Sequence, residues 1–354
     1  MAYTNIDDPS AYFQIATYTG GGGGSSVTND GNSNLKPDLV WFATREGNYK
    51  PLVDSSRGGN RFIYSDLTQG ADVNTDGVGI ATFDTDGFTF GSTTHIYFNN
   101  TSKTYVGWQW KANGSTTSSN TDGNTTTTVQ ANQDAGFSIV TYTGTGSGSQ
   151  TMGHGLGVIP NIVLTKNRSG TGRAWSFNGN FGGMTYGTNK LILNQTSALT
   201  ADTNDVIAAS STTFTGGGSN GVNANGVTYV AYCFAEKQGY SKFGKYVGNG
   251  NASNGSFIYT GFKPAFVMIK RSDGATNWRL FDNKRSGYNG DTSQLYPNLS
   301  NAEDSAGDQL ELLSNGFKNR TVSGDQNGSG NDYIYMAFAE NPFVTSTGIP
   351  TTAR

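Results

Sequence analysis

Three landmarks recur in fixed order along this chain, and their spacing constrains the fold more than any other feature. Tyr18-Thr19-Gly20 returns as Tyr142-Thr143-Gly144 and as Tyr246-Val247-Gly248. Lys36-Pro37-Asp38-Leu39-Val40 returns as Ile159-Pro160-Asn161-Ile162-Val163 and as Lys263-Pro264-Ala265-Phe266-Val267. A closing run at Tyr105-Val106-Gly107-Trp108-Gln109-Trp110 returns near Tyr229 and Tyr333. From first copy to second the landmarks move by 124, 123 and 124 residues; from second to third each moves by 104. Register held across a whole copy marks three modules of roughly 100 residues each, a sensible size for one core. A triplicated module suits display or assembly better than a single catalytic cleft.

The 50 glycines, 18 tyrosines and 20 phenylalanines point to many tight turns between short aromatic and β-branched strands. The one helix-like stretch, Asp308 to Leu313, aligns with strand-like sequence in the first copy. The expected fold class is therefore all-β: three tandem antiparallel β-sandwich modules. Residues 1–11 read as an N-terminal arm, 12–112 as module 1, 135–238 as module 2, 239–343 as module 3 and 344–354 as a C-terminal tail. Between the first two modules, residues 113–134 hold one apolar side chain larger than alanine, Val129, and read as a linker or extended connector. The junction of modules 2 and 3 should be the stiffer one. Ile162 to Lys166 and Phe266 to Lys270 read as central strands covered on both faces, each ending on a lysine where the chain re-enters water. Asp86-Gly87 and Asn315-Gly316 read as type I′ hairpin turns.

A formal charge of −3 argues against a nucleic-acid groove. No apolar run reaches a membrane-spanning length, and the polar, acidic opening reads as lacking a secretion leader. The single cysteine, Cys233, lies in an apolar run and reads as a buried thiol. His95, ahead of an expected strand at Ile96 to Phe98, and His154, between two glycines, have no nucleophile or metal-ligand partner at a telling spacing. The carboxylate pairs Asp7/Asp8 and Glu303/Asp304 lie in polar loop sequence. No enzyme chemistry and no cofactor is expected. Asp72, Asn74 and Asp76 match half of an oxygen-ligand calcium loop, but Phe83 stands where its glutamate belongs, so a solvated turn is the expectation. A repeated constellation is Tyr49 with Asp54 and Arg57, echoed by Trp278 with Asp282 and Arg285; module 2 keeps Trp175, has Asn178 in place of the aspartate, and lacks the arginine. Two readings stay open: an Asp–Arg pair pinning a loop beside an aromatic, or a shallow saccharide site with the ring stacked on a sugar.

Gly136 to Gly144, Gly153-His154-Gly155-Leu156-Gly157 through Val163, Asp86-Gly87-Phe88-Thr89-Phe90-Gly91 and Tyr229 to Phe234 resemble a concanavalin-like or SPRY-type module of virion and appendage proteins of tailed bacteriophages, especially marine ones. Ile6-Asp7-Asp8-Pro9 is similar to the start of such proteins. The resemblance implies a virion structural protein whose partners are other virion proteins. Tail-fibre or appendage adhesion to host-surface glycan is the first role it suggests, with homotrimers by analogy with phage fibres. A capsid decoration protein whose three modules mimic a trimer is the alternative. A depolymerase spike fits less well, because the short β-helix period is missing.

Overall fold

A computed structural model describes residues 4–70, 73–74, 76–169, 172–286, 293–305 and 309–351. It is all-β, and a 3₁₀ turn at Pro9–Ala11 is the only helical element among the described residues. The sequence landmarks are its central strands. In each module the closing strand (Thr104–Trp110, Thr228–Phe234, Asp332–Pro342) lies between the opening strand (Phe13–Thr19, Phe137–Thr143, Ser241–Val247) and a third strand (Leu39–Thr44, Ile162–Asn167, Phe262–Arg271), antiparallel to both. The registers match. Trp110 faces Phe13 and Leu39, Phe234 faces Phe137 and Ile162, and Phe338 faces Ser241 and Phe266. A three-stranded outer sheet covers one face of each inner sheet, giving three sandwiches.

Strand alternation then sends every second closing-strand residue to the far side of the inner sheet. Tyr229, Ala231 and Cys233 fill module 2's own core, while Val230, Tyr232 and Phe234 point away from it. Trp108 and Trp110 of module 1 and Met336 and Phe338 of module 3 do the same, and these outward faces merge into one shared core. Phe338 is its hub. Its ring lies 5.2 Å from Phe13 and 5.6 Å from Trp110 of module 1, 5.9 Å from Phe234 of module 2 and 6.0 Å from Phe266 of its own module. The modules are therefore not beads on a string, and neither junction is a flexible one: three sandwiches, each with a private core, close around a fourth core that belongs to all of them.

The connector is corrected too. Ser118–Asn120 and Thr127–Asn132 are strands that extend module 2's inner sheet to eight, pairing onto Phe137–Thr143. Its lone larger apolar residue, Val129, is buried in module 2's core. Counting side chains undervalued the segment because its ordering is compensated by backbone pairing along an open edge. The two-residue turns are Thr85-Asp86 and Ser314-Asn315; Gly87 and Gly316 instead begin the next strand. A Cβ there would sit 2.0 Å from the carbonyl oxygen of Val27 or Ile258, so close strand approach demands glycine at both, and Gly87 also holds a positive φ of 97°. Ile96 to Phe98 form a turn, closed by the Asn99 side chain accepting the His95 N–H at 2.6 Å. The arm inserts Ile6 into the shared core, and Asp7 accepts the Ser346 N–H at 2.6 Å, tying arm to tail.

A fragment of residues 12–112 would expose Trp108, Trp110, Leu39 and Trp41 to water. It should bind a hydrophobic dye and melt without a cooperative transition, whereas the full chain should do neither; calorimetry of the two decides it.

Candidate functional site

The residues singled out for chemistry converge on the seams between modules. Asp54 and Arg57 form a fully buried ion pair at 2.5 Å, and Asp282 and Arg285 form its twin at 2.6 Å. In both, the arginine donates to a carbonyl of the preceding strand, Leu52 at 3.1 Å and Leu280 at 3.2 Å. Each pair then takes a side chain from the neighbouring module. Tyr232 donates its hydroxyl to Asp54 at 2.7 Å and accepts from Arg57 at 3.2 Å; Trp108 donates its indole N–H to Asp282 at 3.1 Å. Tyr232 and Trp108 occupy the same register position in their closing strands.

The third seam lacks the pair, and strand register shows why. Leu39 faces Asp54, Phe266 faces Asp282, and Ile162 faces Gly179. Gly179, not Asn178, is thus the counterpart of the aspartate, and Gly182 stands three residues on, where the arginines are. The Phe181 ring fills that space, 6.1 Å from Phe243 of module 3, and shares a small apolar pocket with Met336, the counterpart of Tyr232 and Trp108. An ion pair with a polar partner has been exchanged for phenylalanine against methionine. Such exchanges are stability-neutral or better when both sides change together.

A second lock runs around the ring. Trp175 of module 2 donates its indole N–H to the Tyr64 carbonyl of module 1 at 2.7 Å, and Trp278 of module 3 donates to Ile192 of module 2 at 3.1 Å. Register places Lys50, not Tyr49, at the matching position of module 1, and its Nζ reaches the Asn301 carbonyl of module 3 at 3.3 Å. Each module thereby grips the one before it, and the ring closes. Lys166 and Lys270 do not return to water: both are fully buried. Lys166 Nζ donates to Leu67, Thr68 and Arg173 carbonyls at 3.2, 3.2 and 2.5 Å, and Lys270 Nζ to Thr196, Arg271 and Gly274 carbonyls at 3.1, 2.8 and 3.3 Å. Ala43 holds that register in module 1, where Lys50 comes from the tryptophan position instead. Every seam holds one buried lysine. Beside the seam of modules 3 and 1, Arg45 forks onto Glu303 at 2.7 and 3.0 Å, and Arg285 joins at 3.0 Å.

This overturns the saccharide reading. Trp175, Trp278, Asp54, Asp282, Arg57 and Arg285 are buried; among the constellation only Tyr49 reaches water, packed on Tyr64 and Tyr97. The loop-pinning reading holds, with the difference that the pinned groups join modules. Glu303 is part of the lock, and Asp304 accepts from Tyr296 and Gln294. His154 is internal and neutral in role: its Nδ1 accepts the Leu156 N–H at 3.2 Å and its Nε2 meets the Ser210 carbonyl at 3.2 Å. Burial pushes the Cys233 thiol up to about 12, leaving it unreactive. Asp72 lies outside the described residues, Asp76 is an exposed turn residue, and nothing is described of the Asn74 side chain.

Sequence reading passed over a third constellation that its own offsets could have found. Asn99, Asn223 and Asn327 stand 124 and 104 residues apart, all buried. Their amides donate to Gly22, Ser147 and Asn251 carbonyls at 2.9, 2.6 and 3.2 Å, pinning the loop after each opening strand. Above them the tyrosine landmarks stack in pairs, Tyr18/Tyr105, Tyr142/Tyr229 and Tyr246/Tyr333, at 5.2, 5.2 and 5.1 Å.

Outside the seams, one pair of neighbouring register positions differs in chemistry from module to module. Module 1 has Pro51 and Phe62 there, under His95 and Tyr97. Module 2 has Ser176 and Lys190 in a cleft of about 290 Å³, both bonded to Asp205, with Lys190 at 2.5 Å; Arg173, Ser219 and Asn220 complete its rim. Module 3 has Arg279 and Gln294, with Arg279 paired to Asp325 at 2.6 Å. Among the described residues no group of metal-ligating side chains gathers in any of the three.

Two outcomes follow from the seams. Asp54→Leu strands the buried Arg57 charge and should cost about 3–5 kcal/mol in urea unfolding, while Asp54→Leu with Arg57→Met should recover most of it. Burial lowers Lys166 to about 7 and Lys50 and Lys270 to about 8. The unfolded chain holds those protons up to the ordinary lysine range, so between pH 7 and 9.5 it binds more of them than the folded chain does, and stability must rise with pH. Below pH 7 the cost of burying the charge is fully present. Above pH 10 the buried tyrosines, raised by burial, reverse the trend. Lys166→Met should reduce the rise in urea midpoint between pH 7 and 9.5, leaving the part that Lys50 and Lys270 contribute.

Comparison with curated proteins finds no match, and none is found among solved structures. One family model matches, described as a domain of unknown function (DUF7483), over residues 8–342. That span takes in the arm's end, all three sandwiches and the connector, so the unit the family describes is the whole ring and the chain is a member of it.

Proposed function

We propose that the chain is a non-catalytic virion component of a tailed bacteriophage that works as a single-chain stand-in for a trimer, docking at a threefold or quasi-threefold position of the particle surface. The observation that carries this reading is ring closure: module 2 grips 1, 3 grips 2 and 1 grips 3 through equivalent positions. Head-to-tail contacts that close are the signature of cyclic assemblies. The phage assignment rests on the resemblance of the glycine-rich and aromatic landmarks. Burial of Trp278, Asp282 and Arg285, and of Asp54 and Arg57 beside Tyr49, removes the feature that favoured adhesion, and the decoration role gains accordingly.

Adhesion to host-surface glycan remains as a second reading, favoured by the module 2 cleft. Its carboxylate, guanidinium, hydroxyl and amide groups over Ile192 suit sugar hydroxyls. Antibody raised against the purified chain and applied to particles of the phage that encodes it separates the two. Label across the head supports decoration, label at a tail tip transfers the proposal to adhesion, and label on no particle overturns both.

A further inference from the structure

The connector shows, within this molecule, what a sandwich edge in this fold accepts. In module 2 it forms a hairpin on the inner sheet's edge, and the chain between its two strands crosses to the outer sheet and runs along the free side of Gln150–Gly153. There Asn124 accepts the Thr151 N–H at 2.7 Å, Thr125 donates its N–H to the Thr151 carbonyl at 3.1 Å, and Thr127 donates its hydroxyl to the Gly153 carbonyl at 2.9 Å. The bridge Thr125 to Met152 is parallel, and Gly123 passes so close that a Cβ would lie 2.2 Å from the Thr151 carbonyl oxygen. These are the contacts of an added strand.

Among the described residues, modules 1 and 3 have the same edge with no strand on it: Ser26–Val27 and Phe257–Tyr259 end their outer sheets. Register identifies the equivalents. Met152 faces Phe214, Val27 faces Phe88 and Ile258 faces Phe317, so Thr151 corresponds to Ser26 and to Phe257. The open edges differ. Module 1 shows water a serine, but module 3 shows it Phe257, 48% exposed, and Tyr259, 59% exposed, with Val247 of the adjoining inner-sheet edge at 55%. Three large apolar side chains in water beside an unpaired strand edge make a template for pairing.

We infer that the edge formed by Phe257–Tyr259 in module 3 is a docking site for an extended segment of another polypeptide, added as a strand in the way the connector is added in module 2. The occupant donates a backbone N–H to the outward C=O of Phe257, as Thr125 does to Thr151, and accepts the Phe257 N–H through an asparagine side chain, as Asn124 does. Where the connector presents Thr125, this occupant presents an aliphatic side chain to the Phe257 and Tyr259 rings. It needs a glycine where Gly123 passes the strand. The site is independent of the ring's place in a particle.

The probe is a peptide of residues 118–132 of this chain with Thr125→Ile and Asn124 kept as the acceptor of the outward N–H, labelled and titrated into the full-length protein by fluorescence anisotropy. Phe257→Pro is the decisive variant, because proline removes the outward N–H and is tolerated on an edge strand. Tryptophan-detected unfolding checks that this variant stays folded, and Tyr259→Lys serves as a second variant without backbone change. Saturable binding that weakens at least tenfold in both variants, with slowed hydrogen exchange of the Phe257 amide in the wild type, is the expected result. No saturable binding, or binding equal in wild type and Phe257→Pro, overturns the inference.

Discussion

Each inner sheet of this protein is apolar on both faces, and the rest of the structure follows from that constraint. A sheet with one wet face can end as a two-layer sandwich, but one carrying Trp108 and Trp110, or Tyr232 and Phe234, on its far side cannot. Burying those faces needs other apolar sheets, and the chain supplies two more of the same kind. Cooperation among the modules is therefore built into the strands themselves, through the alternation that sends one set of side chains inward and the other to the common centre.

Apolar faces alone would let the sheets slide, and the buried polar groups oppose this. Asp54 with Arg57 and Asp282 with Arg285 sit where the neighbouring module offers Tyr232 or Trp108, so a shifted seam leaves a buried charge without its partner. The lysines act in the same way, each needing a particular set of carbonyls from the adjoining loop. In a trimer of identical subunits all three seams would be alike. Fusion into one chain removes that restriction, and the seams have separated into two polar versions and one built on Phe181 and Met336. The same freedom explains how the rim positions came to carry aromatic, Ser-Lys-Asp and Arg-Gln chemistry on one scaffold.

The two ends of the chain and the connector act as fasteners on this ring. The arm plugs Ile6 into the shared core, the tail is held to the arm through Asp7, and the connector extends module 2's sheet while closing its edge. Module 2 is thereby the most enclosed of the three. In module 3 the corresponding edge, Phe257–Tyr259, carries exposed aromatic rings in place of the connector.

The class of structure and the count of modules were legible in the chain alone. Repeat offsets identify equivalent strands almost to the residue, because insertions fall between strands and the strands keep their register. Period-two alternation marked the sheets, and near-continuous apolar runs marked strands covered on both faces. What only the tertiary structure decided was what covers the second face. An apolar run is the same whether its cover is a sheet of its own module or of another, since burial leaves no record of its source. For that reason Asp54, Arg57, Trp278 and Asp282 were open to a pinned loop or a saccharide site, and the seam they join was not legible. Tyr49 and Asn178 were matched one residue out of register because identity of type was followed where hydrogen-bonded pairing rules. Lys166 and Lys270 looked like strand ends returning to water, since a lysine is normally solvated; only the arrival of carbonyls from another module makes a dry place for its charge.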